Sequence, residues 1–281
     1  MRHVFVDSAG SEIRLDGTDA FDLLMGVDGR LAPPLNLDSD PAVGRQGNVL
    51  RRARVAQRDV ELPIDVIAGD VRDKIRELFS ALNPLRGDAR LRVEYDDGQT
   101  RDLVGRVASI EAVEDEGSSH GSYQRMMVVF RAFDPYWRGD EVVREYQVSA
   151  PDFFTEGDGF PLRLAGASII ATVSEDNDGD ADAWPVWMLR GPGVPRIENE
   201  TTGETIEFDG LTLEEGETLV IDTEPGVKTV TLDGASIYDQ LTLESSLFAL
   251  SPGVNTLDID LDEGTADSLV RLRYRPRSIA P

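Results

Sequence analysis

The sequence has no cysteine. Disulfides, thiol nucleophiles and cysteine-ligated metals are therefore excluded. Histidine is nearly as scarce: His3 and His120 are the only two. Neither a histidine metal site nor a histidine-dependent triad has its parts. Lysine is limited to Lys74 and Lys228 among 28 basic residues. No apolar run reaches the roughly 18 residues that a membrane-spanning helix needs. The opening MRHVFVDSAG lacks the apolar core of a secretory leader, so no export is expected. No glycine-rich phosphate loop follows a strand pattern, and no nucleophile elbow occurs. Tandem repeats and low-complexity tracts are also missing.

What the chain has in excess is carboxylate. Its net charge is −25, from 53 acidic and 28 basic residues. Residues 1–140 hold 19 basic and 25 acidic residues, whereas 141–281 hold 9 and 28. Such a surface repels nucleic acid and anionic membranes, so neither is expected as a partner. High-GC codon usage explains the missing lysines. It does not explain the surplus of Asp and Glu, which suits a high-salt cytoplasm because salt screens carboxylate repulsion. The composition therefore points toward a halophilic source. At 281 residues and 40% hydrophobic content, two domains with real cores are expected.

The first domain reads as a β-barrel or sandwich carrying one helix. Residues 2–7 and 11–15 form a hairpin pattern around Ser8, Ala9 and Gly10. Residues 28–48 carry Gly, Pro, Asn and Asp without periodicity and read as a long loop. Residues 49–67 read as a strand pair or one bent strand. Within them Val60, Leu62, Ile64 and Val66 alternate with polar positions, and Pro63 suggests an edge or a bulge. Asp70 caps a helix whose apolar face is Val71, Ile75, Leu78, Phe79 and Leu82, and Asn83–Pro84 stops it. Strands follow at 90–95 and 100–107 around the Asp97–Gly98 turn. A third stretch, 108–113, leads to the acidic loop 114–121, and 123–133 closes the sheet.

Beyond a connection at 134–150 the pattern is all-β. Short strands are expected at 162–164, 168–173, 186–189, 205–208, 211–213, 218–221, 229–232, 247–250, 255–261 and 268–274, the spacing of a β-sandwich. The expected domains are 1–139 and 140–281, with the last strand near 268–277 able to pack back on the first.

The stretch 127–139, MVVFRAFDPYWRG, is the densest signal. Met127, Val128, Val129 and Phe130 read as a strand. Pro135 lacks an N–H and holds Asp134 extended, so pairing should end in a fixed corner of Asp134, Pro135, Tyr136 and Trp137. Phe130, Phe133, Tyr136 and Trp137 together would plug a β-domain. A strand ending F-x-A-x-D-P-Y-W resembles the distal tail proteins of long-tailed, siphovirus-type phages. The preceding motifs fit that family in order: Gly26-Val27-Asp28-Gly29, Pro33-Pro34, Gly44 and Gly47, Arg58 before an alternating run, the helix ending at Asn83-Pro84, and Asp97-Gly98. The segments PRIENETTG at 195–203 and LSPGVNTL at 250–257 resemble the family's second domain, as does N-x-G-D-A-x-A-x-P from Asn177 to Pro185.

The resemblance implies a mainly β fold, with a galectin-like or carbohydrate-module-like second sandwich. It implies a structural virion protein at the tail tip, assembled in the host cytoplasm and without enzyme activity, cofactor or metal. The implied assembly is a homohexameric ring built by the first domain, with a lumen wide enough for DNA. Its implied partners are the tail tube protein and the tail-tip hub protein, together with the tape-measure and receptor-binding proteins.

Other readings of single segments compete. SEDNDGDADAW at 174–184 has the alternating aspartates of a calcium loop, but counted from Asp176 the sixth and twelfth positions are Ala181 and Trp187. These cannot serve as the glycine and bidentate glutamate that such a loop requires, and a turn fits better. Asn199-Glu200-Thr201 is formally a glycosylation sequon and equally a turn. Arg51, Arg52, Arg54 and Arg58 form the only basic cluster; a subunit contact or a solvated strand face both account for it. Trp137, Trp184 and Trp187 could stack on sugars or pack a core. A tail-associated glycan-binding module is therefore the alternative function, and a glycan hydrolase with a chance carboxylate pair is a remoter one.

Overall fold

The computed structural model describes residues 1–44, 46–113, 119–120, 122–147, 169–265 and 267–281. The strand expected at 162–164 and most of the acidic loop expected at 114–121 lie outside the described residues. The chain divides into two compact units, Met1–Asp140 with Arg277–Pro281, and Glu141–Pro276.

The first unit contains β1 (Arg2–Val6), β2 (Glu12–Arg14), β3 (Phe21–Leu23), β4 (Leu35–Pro41), β5 (Asn48–Val55), β6 (Arg58–Ile67), α1 (Val71–Ala81), β7 (Ala89–Glu94), β8 (Thr100–Ala112), β9 (Ser119–His120), β10 (Tyr123–Ala132) and β11 (Trp137–Arg138). The main sheet runs β2-β1-β7-β8-β10-β6-β3. Its two ends meet: Asp16 bridges Asp22, and the Leu23 N–H donates to the Leu15 carbonyl at 3.1 Å. The sheet is thus closed into a barrel, which removes its exposed edges. The period-two alternation of β6 turns Val60, Leu62, Ile64 and Val66 inward, all fully buried beside Leu91, Val93, Leu103, Val128 and Phe130. Each such side chain contributes about 1.5–3 kcal/mol on burial.

The helix forms where its cap and periodicity place it. The Asp70 carboxylate accepts from the backbone N–H groups of Arg72 and Asp73, and Asp73 lies in the first turn near the positive end of the helix dipole. Val71, Leu78 and Leu82 are buried against the barrel, while Phe79 remains 47% exposed. The stretch 108–113 is not a separate element. It continues β8, and the register between β8 and β10 shifts at Val129/Phe130, leaving Ala108 as the extra residue of a bulge. Gly29 is required rather than tolerated. Its φ is +72°, and a Cβ there would lie 1.9 Å from the Asp59 carbonyl oxygen.

One expectation fails outright. Residues 28–48 are not simply a loop: 35–41 form β4 and pair with β5, the two strands making a separate two-stranded sheet. Every residue of β4 is exposed, so no core selects an apolar stripe long enough to read as a strand.

The second unit contains β12 (Val142–Gln147), β13 (Ile169–Asn177), β14 (Val186–Arg190), β15 (Val194–Asn199), β16 (Glu204–Glu207), β17 (Thr218–Asp222), β18 (Thr229–Leu232), β19 (Ala235–Ser236), β20 (Gly253–Asp262) and β21 (Leu269–Tyr274). These form two antiparallel sheets, β12-β21-β14-β17-β18-β19 and β13-β20-β15-β16. Trp187, Leu189, Leu219, Ile221, Val270 and Leu272 of one sheet share a core with Ile197, Ile206, Leu257, Ile259 and Leu261 of the other. That is a β-sandwich. The stretches 211–213 and 247–250 contribute only single bridges, at Leu213 and Leu250.

The chain then returns. β22 (Arg277–Ser278) pairs with β11, so Trp137 faces Ser278 and Arg138 faces Arg277. The strand 269–274 stays in the sandwich, because Val270, Leu272 and Tyr274 alternate into its core. The part that rejoins the first unit is 277–281.

Trp137 is fully buried, and its indole N–H donates to the Arg30 carbonyl at 3.2 Å. Trp137→Ala should therefore destabilise the protein by about 3–5 kcal/mol, the range for a buried aromatic. Urea denaturation of the full chain checks this; a loss below about 1 kcal/mol would mean that the ring carries little of the packing.

Candidate functional site

The corner after β10 is tied down by charge. Asp134 accepts from Arg277 at 2.5 Å and from Arg138 at 3.3 Å. The Arg277 guanidinium lies 4.5 Å from the Tyr136 ring centroid, a cation–π distance. Pro135 and Trp137 are buried, Tyr136 is half-buried and Phe133 is 64% exposed. The aromatic plug expected from the sequence is thus made by Phe130 and Trp137; Phe133 points away from it.

The four arginines expected as one cluster separate into two environments. Arg58 is fully buried at the start of β6. Its Nη1 donates to the Arg30 carbonyl at 2.8 Å and its Nη2 to the Ile279 carbonyl at 2.5 Å. The guanidinium carbon lies 5.9 Å from the Trp137 ring centroid, and Nε has no partner. Burial alone pushes this guanidinium down to about 10. Arg58 is therefore an internal clamp and not a surface contact. The signal was present in the sequence: it shares the parity of Val60, Leu62, Ile64 and Val66, so the alternation that buries them buries it.

Arg51, Arg52 and Arg54 lie on β5 and are exposed. Pairing places Leu35 opposite Val55, Leu37 opposite Ala53, Asp38 opposite Arg52 and Ser39 opposite Leu50, which leaves Arg51 as the extra residue of a bulge. Because side chains alternate, Leu35, Leu37, Leu50, Ala53 and Val55 share one face of the hairpin. Asp38, Asp40, Arg51, Arg52 and Arg54 share the other. Arg51 Nε donates to Asp40 at 2.8 Å. Leu35, Leu37 and Leu50 are 61%, 59% and 57% exposed. A two-stranded hairpin in water is marginal by itself, so an apolar face of this kind is a contact surface in waiting.

A cleft of about 480 Å³ opens beside β1, lined among others by His3, Asp16, Asp22, Leu24, Met25 and Arg30. His3 is buried, and its Nε2 lies 3.1 Å from Arg30 Nη1. Arginine has only donors, so Nε2 must accept and the imidazole is neutral. Burial, then the Arg30 guanidinium, then the terminal ammonium lower the His3 pKa to about 4. Sequence reasoning had no signal for this pair.

In the second unit the quoted motifs meet. Asn199 Nδ2 donates to Asn255 Oδ1 at 3.3 Å, and both side chains are fully buried. Asn255 Nδ2 in turn donates to the Ser251 and Gly253 carbonyls. The Gly203 N–H closes on the Asn199 carbonyl at 2.7 Å. The sequon asparagine is therefore a buried turn-former. Asn177 does the same work at its own turn, donating to the carbonyls of Ala181 and Leu250 and accepting from the Gly179 N–H. Glu175, buried, accepts from the Tyr146 hydroxyl at 2.6 Å and pairs with Arg144 at 3.4 Å. Burial is the first cause that raises the Tyr146 hydroxyl pKa. Trp187 is core, and Trp184 is half-buried. Among the described residues no group of three or more His, Cys, Asp or Glu side chains is placed to hold a metal ion.

The chain is thus a barrel with one helix and an exposed two-faced hairpin, interrupted by a sandwich. Residues 178–277 match the family described as the siphovirus-type tail component, C-terminal domain. More particularly, the chain is 24% identical over 244 residues to the distal tail protein of Bacillus phage SPP1, a match covering 86% of this chain and 87% of that one. The crystal structure of the SPP1 Dit protein, gp 19.1, superposes with a TM-score of 0.66 at 16% identity, covering 98% of each chain. A chain of the phage P2 baseplate in its activated conformation with calcium superposes with a TM-score of 0.56 at 9% identity, covering 100% of this chain and 99% of that one. The resemblance to siphovirus-type distal tail proteins read from the sequence is borne out, and so is the mainly β fold.

The neutral His3 has a consequence for pH. A histidine whose pKa is lower folded than unfolded costs no stability above its unfolded value near 6.5. As pH falls from there toward about 4, the unfolded chain takes up the proton first and stability is lost. His3→Gln should remove this component. The difference in melting temperature between wild type and His3→Gln should shift in favour of the variant between pH 7 and pH 4.5; a constant difference would show that His3 titrates normally.

Proposed function

We propose that this chain is a structural protein of a long viral tail, forming a homohexameric ring at the distal end that joins the tail tube to the tail-tip hub. The observation that carries this reading is the β4–β5 hairpin, whose apolar face is exposed in the single chain. A repeated heterologous contact that closes on itself buries such a face in every copy. The relatives support the setting. The SPP1 protein is described as a paradigm of hub adsorption apparatus, and the phage P2 structure is a baseplate. Tape-measure and receptor-binding proteins are the further neighbours of such a ring. We assign the protein no catalytic role: mechanism here is geometry, a closed ring around a passage for DNA. A lumen that is acidic or neutral does not retain a polyanion. We class the second unit with galectin-like sandwiches on its two antiparallel sheets. A glycan-binding role gains nothing from Trp187, which is enclosed in the core.

Mass photometry of the full chain, alone and with recombinant tail tube or hub protein, tests the ring. Hexamers are expected; monomer alone at micromolar concentration with either partner present overturns the reading.

The acidic surface fits a halophilic host. On β20 the side chains of Asp258, Asp260 and Asp262 alternate with the buried Leu257, Ile259 and Leu261. Burial, then Asp262, then Asp258 raise the Asp260 pKa. A raised carboxylate pKa marks an ionised form that the fold disfavours, so the strain is present at neutral pH and relieved by protonation or screening. The melting temperature should climb from 0.1 to 2 M sodium chloride. Asp260→Asn should raise it at 0.1 M, with a smaller gain at 2 M. A flat or falling curve would leave codon usage as the account of this composition.

A further inference from the structure

We propose that Arg58 and residues 277–281 form a latch that sets the stance of the β4–β5 hairpin on the barrel. Only a chain whose tail is engaged then holds the hairpin ready for assembly. The second statement rests on the ring reading, and the first does not.

Two backbone ties hold the root of the hairpin, and a gap separates them. On the barrel side Asp28 and Glu61 exchange N–H···O bonds of 3.2 and 3.1 Å, and on the hairpin side the Ala56 N–H donates to the Pro34 carbonyl at 2.8 Å. Between these ties no backbone hydrogen bond joins 29–33 to 57–60. A short unpaired stretch of this kind is where a two-stranded element bends. The Arg58 side chain spans the gap, from the start of β6 to the Arg30 carbonyl. The other donor of the same guanidinium is on the Ile279 carbonyl. That tail is anchored in turn by its pairing with β11 and by the contact of Arg277 with Asp134. The hinge is therefore fixed to the last residues of the chain through one side chain.

Stability does not account for an arginine at this place. Arg58 is fully buried, and no carboxylate pairs with it among the described residues. An apolar side chain of similar size in place of a buried ion is often neutral or stabilising. What such a side chain cannot do is bond two carbonyls from distant parts of the chain. The planar fork of a guanidinium orients both at once. Without the tail the guanidinium keeps one carbonyl, too little to hold a buried cation. It then turns to water and frees the root of the hairpin.

Arg58→Met separates positioning from stability. Its melting temperature should equal or exceed that of wild type. Hydrogen exchange should nonetheless quicken about tenfold in peptides covering 29–36 and 52–58. Peptides covering 62–66 and 126–131 should stay as protected as in wild type, and mass photometry should show the rings lost. A chain ending at Pro276 should give the same exchange and assembly results, with 187–189 and 257–261 still protected in the sandwich. Arg58→Met decides the matter even if the shortened chain does not fold. Wild-type exchange at the root of the hairpin in Arg58→Met overturns the latch. So does exchange that quickens equally across barrel and hairpin, which would make Arg58 a stability group only. A loosened hairpin that still forms rings overturns the assembly statement alone. If wild type stays monomeric with its partners present, the ring reading falls, and local exchange still judges the latch.

Discussion

A guanidinium buried without a carboxylate is the constraint on which the first unit depends. Arg58 is satisfied by two backbone carbonyls, those of Arg30 and Ile279, and by the face of Trp137. Burying an unpaired charge is costly, and it persists only where the surroundings fix it. Here those surroundings are three distant pieces of chain: the loop before the hairpin, the corner after β10, and the returning tail. The Arg30 carbonyl also accepts from the Trp137 indole. One backbone oxygen therefore couples the base of the hairpin to the corner, and the charge that needs satisfying holds all three pieces in register.

Charge is organised by position in the same unit. Paired carboxylates take the barrel's outer face: Asp65 with Arg125 and Tyr123, Asp102 with Arg92, Asp59 with Arg131. Arg90, Arg106, Arg138 and Arg277 of this unit are held in intramolecular ion pairs as well. The second unit has few cations to spend and relies on amide and hydroxyl networks, with Asn177, Asn199 and Asn255 each closing a turn from inside the protein. Uncharged amides can be buried at low cost when both ends are satisfied.

Much of this was legible in the sequence wherever one face of an element is buried. The helix was readable because Asp70, the apolar face and Asn83–Pro84 agree. The strand from Val60 to Val66 was readable because burial on one side imposes alternation. The hairpin was not, because a strand exposed on both faces leaves no core imprint, and Pro33, Pro34 and the glycines mimic a loop. Arg58 was misplaced because charge outweighed parity. A return of the chain near 268–277 to the first unit was expected, but its partner could not be read: nothing in RPRSIAP points to residues 137–138, since that pairing spans about half the chain. The motifs at 195–203 and 250–257 were informative in order, but their meeting through Asn199 and Asn255 belongs to the fold.

The pairing of Arg277–Ser278 with Trp137–Arg138 also sets a sequence of events during synthesis. The sandwich is complete in the chain once residue 276 has emerged. The barrel, although it begins at the first residue, lacks its last strand and the carbonyl that holds Arg58 until residue 279 has been made. The part made first is finished last.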